Sequence, residues 1–84
     1  MNDSLSELFK DDDYCVKEIC QIRESIGTIN ANQKTFNVAH SALAFMLLNC
    51  SEKMRPLVLG QLMETTKREN YAFLAGQLSK DSVL

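Results

Sequence analysis

Between Asp12 and Ile26, apolar residues recur every three or four positions, the spacing of one face of an α-helix. Cys15, Ile19, Ile22 and Ile26 make one row and Val16, Ile19, Cys20 and Arg23 a second, while Lys17, Glu18, Gln21, Glu24 and Ser25 fall opposite. This pattern predicts an amphipathic helix over about 12–26, with Gly27 as its C-cap. Upstream, Ser4-Leu5-Ser6-Glu7 has the spacing of a capping box, so a short helix carrying Leu5, Leu8 and Phe9 is expected. The run Asp11-Asp12-Asp13 follows, and any of these carboxylates can cap the next helix and favour its positive end. A docking site for a basic partner is the alternative use of that run. Downstream, Asn30 and Gln33 repeat the capping-box spacing, with Ile29 placed as a hydrophobic staple.

The segment from about Ala31 to Asn49 reads as a third helix that is apolar on nearly every side. Phe36, Leu43 and Leu47, with Cys50 beyond, share one face, and Val38, Ala42 and Phe45 share another. The small residues Ala39, Ser41, Ala42 and Ala44 let neighbours approach closely. A helix of this kind must be covered almost all round, which makes it the central element of the core. In so short a chain a second copy is expected to help cover it.

The break at Cys50-Ser51-Glu52-Lys53 precedes Pro56, which suits the first turn of a helix. A fourth helix is therefore expected from Lys53 or Met54, carrying Leu57, Val58, Leu62 and Met63, with Leu59 nearby. Thr65–Asn70 is wholly polar, and Thr66-x-x-Glu69 again has capping-box spacing. This allows a fifth helix from about Lys67, carrying Tyr71, Phe73, Leu74 and Leu78. One continuous helix over 54–78 fits equally well. No alternation of period two and no hairpin turn signal interrupts the series. The expected fold is all-α: a small bundle of four to five short helices around the central helix at about 31–49. It forms one domain over 1–84, with a short acidic N-terminal segment (1–13) and a polar C-terminal tail (79–84).

Size changes the picture more than composition does. The chain has 84 residues, 45% of them hydrophobic, and a formal net charge of −2. A chain this short hides only roughly 60–65% of the surface its unfolded form exposes, so association is a common source of added stability. The near-neutral charge argues mildly against a nucleic-acid binder. The first ten residues lack the basic start and apolar run of an export signal, and the longest apolar stretch, 42–48, is too short to cross a bilayer. The three cysteines have no disulfide spacing, and Cys15 and Cys20 lie about 140° apart on a helix. Reduced thiols and a cytoplasmic location are expected.

Little in the sequence suggests catalysis. The single histidine, His40, stands beside Ser41, but adjacent helical residues point about 100° apart and make a poor nucleophile–base pair. His40 reads as a residue at a packing edge, or as a pH-responsive contact. No group of cysteines and histidines has zinc-ligand spacing, and no glycine-rich phosphate loop occurs. Neither an enzyme, a metal, a cofactor nor a small-molecule substrate is therefore expected. No helix has the basic polar face of a membrane-surface amphipath. Ser82-Val83-Leu84 matches the pattern of a peptide captured at a sheet edge, and equally that of a frayed tail.

What stands out is a surplus of apolar positions beyond one stripe per helix. It points to a protein–protein interaction module (an adaptor, chaperone-like or regulatory subunit) that self-associates as a homodimer. Val38, Phe45, Met46, Leu57 and Leu59 are the expected interface. The alternative is a small DNA-associated regulator in which helices three and four form a helix-turn-helix-like unit, with phosphate contacts from Lys53, Arg55, Lys67 and Arg68. Against it, the would-be recognition helix begins Pro56-Leu57-Val58-Leu59, which offers no hydrogen bonds to bases.

Overall fold

The computed structural model describes residues 3–76, with side chains from Leu5 onward; the polar tail at 79–84 and Leu78 lie outside them. Four helices follow in order: α1 (Asp3–Leu8), α2 (Asp12–Ile26), α3 (Gln33–Asn49) and α4 (Arg55–Leu74). The protein is all-α, as its periodicity predicts. The helix α3 packs against each of the other three, and α4 also packs against α2, so the apolar helix is the centre of the bundle.

Capping chemistry fixes where the helices begin, and in two places it differs from expectation. Helix α1 begins at Asp3, so Ser4 lies within the helix and not before it. Asp11 caps α2, its carboxylate accepting from the backbone N–H of Asp13 at 3.0 Å. Helix α3 starts at Gln33, two residues later than expected, and its capping box joins Asn32 and Thr35, not Asn30 and Gln33. Ile29 is 81% exposed and staples nothing. The reason is local: the backbone N–H of Ala31 bonds the carbonyl of Thr28, and this turn delays the helix until the next residue able to cap.

Helix α4 has no side-chain cap at Met54. Ser51 takes that role one turn earlier, its carbonyl accepting from the N–H groups of Met54 and Arg55 and its Oγ from that of Met54. The same hydroxyl donates to Oδ1 of Asp12 at 2.9 Å, tying the α3–α4 link to the start of α2. Pro56 occupies the first turn. The helix then runs unbroken through the polar stretch 65–70, which removes the alternative of a fifth helix at Lys67. Thr66 donates its hydroxyl to the carbonyl of Leu62 and so does not act as a cap. Gly76, at φ +88°, adopts the left-handed conformation that commonly ends a helix.

The core contains Ile22, Ile26, Phe36, Leu43, Met46 and Val58, with Phe9 and Cys15 at the α1–α2 end. Burying each of the large members contributes about 1.5–3 kcal/mol. Phe9, just beyond α1, makes an edge-to-face contact with Phe45 (ring centroids 5.7 Å apart) and a tilted one with Tyr14 (5.4 Å). Of the two rows on α2, that of Cys15, Ile22 and Ile26 is buried, whereas Val16, Cys20 and Arg23 face solvent. Among the described residues two polar ones are buried, and both are satisfied within α4: Thr65 donates to the carbonyl of Gln61 at 2.7 Å and accepts from the Gln61 amide at 3.3 Å.

Candidate interaction surface

Twelve large apolar side chains are exposed among the described residues, against eleven apolar residues in the core. Scattered exposed leucines are ordinary, so the informative ones are those that share a face. Two faces qualify.

The first is a groove along α2 and α3. Near α1 it has a volume of about 520 Å³ and is lined by Leu5, Phe9, Tyr14, Val38, Ala42 and Phe45, with Glu18 the one ionisable wall besides the Tyr14 phenol among the described residues. Glu18, Val38 and Ala42 also line a second section of about 540 Å³, which runs on past Ile22 and Ala39 to Lys34. Ala39 and Ala42 form a low floor, and the segment from Thr35 to Phe45 spans about 15 Å, or nearly three helical turns. The Tyr14 phenol is held above its ordinary range, first by burial and then by the neighbouring Glu18 carboxylate, so it remains neutral here.

The second face is the outer side of α4. Leu59 and Met63 are both exposed, and with Pro56 they follow the spacing of a helical ridge. Arg55 and Lys67 flank them within an arc of about 120°, and no carboxylate of α4 falls inside that arc. At Gly60, on the same side, an added Cβ would meet nothing within 4 Å.

Of the expected interface residues, Val38 (61% exposed) and half-buried Phe45 line the groove together. Leu57 and Leu59 are both exposed but lie about 160° apart around α4, so they do not share a face. Met46 is corrected outright: it is fully buried in the chain's own core and offers no surface to a partner. Its side of α3 is covered because Phe36, Ala39, Leu43 and Met46 form one row at three- and four-residue spacing.

The four basic residues of the alternative reading are not gathered into one surface. Arg55, Lys67 and Arg68 point to three sides of a single helix, at least about 100° from one another. Arg68 is paired with Glu64 at 3.6 Å. Lys67 and Arg68 line a separate hollow of about 590 Å³ beside Ile26, Ile29 and Tyr71. Nor does the α3–α4 unit splay like a helix-turn-helix. Gln33, at the far end of α3 from the link, donates its amide to Oε2 of Glu69 at 2.7 Å, so the two helices stay adjacent as an antiparallel hairpin.

That contact belongs to a polar cluster. Glu69 also lies 3.0 Å, through Oε1, from Nε2 of His40, and the Gln33 amide reaches Oδ1 of Asn37 at 3.1 Å. His40 is thus a packing-edge residue paired across the helices, and it lines neither section of the groove. No group of three or more metal-ligating side chains occurs among the described residues, and no helix there is long and apolar enough to cross a membrane. Sequence reasoning missed Glu69, Gln33 and Tyr14; only the last carried a signal, as an aromatic beside an acidic cap. No known protein family, no curated protein and no solved structure matches the chain.

Proposed function

We propose that this protein is a protein–protein interaction module that associates with copies of itself through its exposed apolar faces. The supporting observation is the placement of Val38 and Phe45 in one continuous groove while Leu59 and Met63 stay exposed on α4. A small helical domain with more large apolar side chains outside than inside gains from covering them. At about 25 cal/mol per Å², a few hundred Å² of shared apolar surface is enough to matter. A nucleic-acid reading has less support, because the cations are dispersed around α4 and one of them is already paired.

The test is light scattering after size-exclusion chromatography across a dilution series. The expected result is a mass of at least two chains at micromolar concentration, falling on dilution. A single-chain mass throughout the series would overturn the reading.

A further inference from the structure

We draw no further inference here: the strongest candidate, the apolar groove along α2 and α3, carries one carboxylate (Glu18) and one lysine (Lys34) on its walls, and nothing in the structure shows what covers it.

Discussion

Nε2 of His40 lies 3.0 Å from Oε1 of Glu69, and the other oxygen of that carboxylate accepts from Gln33 at 2.7 Å. One side chain of α4 thereby holds α3 at two points nearly two turns apart. The link between the helices is far away, so this cluster keeps the far end of the hairpin closed. Replacing Glu69 by Ala is expected to destabilise the fold by about 1 kcal/mol, the scale for a partly exposed charged hydrogen bond. Denaturant unfolding measures it, and a double-mutant cycle with His40→Ala isolates the pair. An unchanged midpoint would show that the cluster contributes nothing to stability.

Met46 and Val38 were expected at the same interface, and they separate cleanly. Met46→Ala opens a cavity in the core and is expected to cost about 2–5 kcal/mol, enough to unfold much of so small a domain. Val38→Ala removes exposed surface and is expected to change stability by no more than about 0.5 kcal/mol while weakening association. Thermal unfolding at a concentration where the chain is monomeric distinguishes the two, and equal losses would refute the assignment of Met46 to the core.

The hydroxyl of Ser51 bonds Oδ1 of Asp12 and caps Met54 at once. Ser51→Ala is expected to cost about 1 kcal/mol, because it removes the hydroxyl that bonds the Asp12 carboxylate and shares the Met54 N–H, which the Ser51 carbonyl still accepts. Asp12→Ala should cost less, since the serine cap survives it. Chemical denaturation of the two variants gives the order, and a reversed order would place the stabilising contact elsewhere.

The three thiols should differ in reactivity. Cys20 is exposed, Cys50 is half-buried and Cys15 is buried, with its Sγ–H donating to the carbonyl of Phe9 at 3.0 Å. Burial first, and then nearby Cys50 and Asp12, also hold the Cys15 thiol above its usual range, and the thiolate is the reactive form. A disulfide reagent under native conditions is expected to label Cys20 first, Cys50 next and Cys15 only on unfolding. Mass spectrometry of the labelled peptides reads the order. Early labelling of Cys15 would mean that the α1–α2 corner opens readily.

Alkaline pH should weaken the fold through that same corner. Cys15 and Tyr14 both ionise above their ordinary values of 9.0 and 10.0 in the native state. The unfolded chain loses these protons first and so binds fewer of them, and stability falls as pH rises through 9.0. Cys15→Val removes one of the two groups and is expected to give a shallower decline between pH 8 and 10. A decline as steep as the parent's would assign the effect to Tyr14 alone.

Much of the architecture was legible because helices answer to local rules. The bounds of α2, its Asp11 cap and its Gly27 end follow from residues within one turn of each other. So does the place of Pro56 in the first turn of α4. The apolar segment at 36–47 could be recognised as central because so few of its positions are polar. Where two local signals competed, the sequence was undecided. Asn30 and Asn32 can each cap a helix, and only the turn at Thr28–Ala31 selects the second.

The sequence by itself determined that this chain is helical, the bounds of α2 and the central place of the apolar segment, and that the chain carries more apolar side chains than one stripe per helix needs. Only the tertiary structure decided which of them are inside. Met46 and Val38 have similar hydrophobicity and sit on the same helix, but one faces the packed junction of helices and the other faces the groove beyond it. Periodicity gives the angle between two positions on a helix and not the direction of its neighbours, which depends on contacts between residues distant in sequence. For the same reason Glu69 looked like a cap in the sequence and became the residue that holds α3 and α4 together.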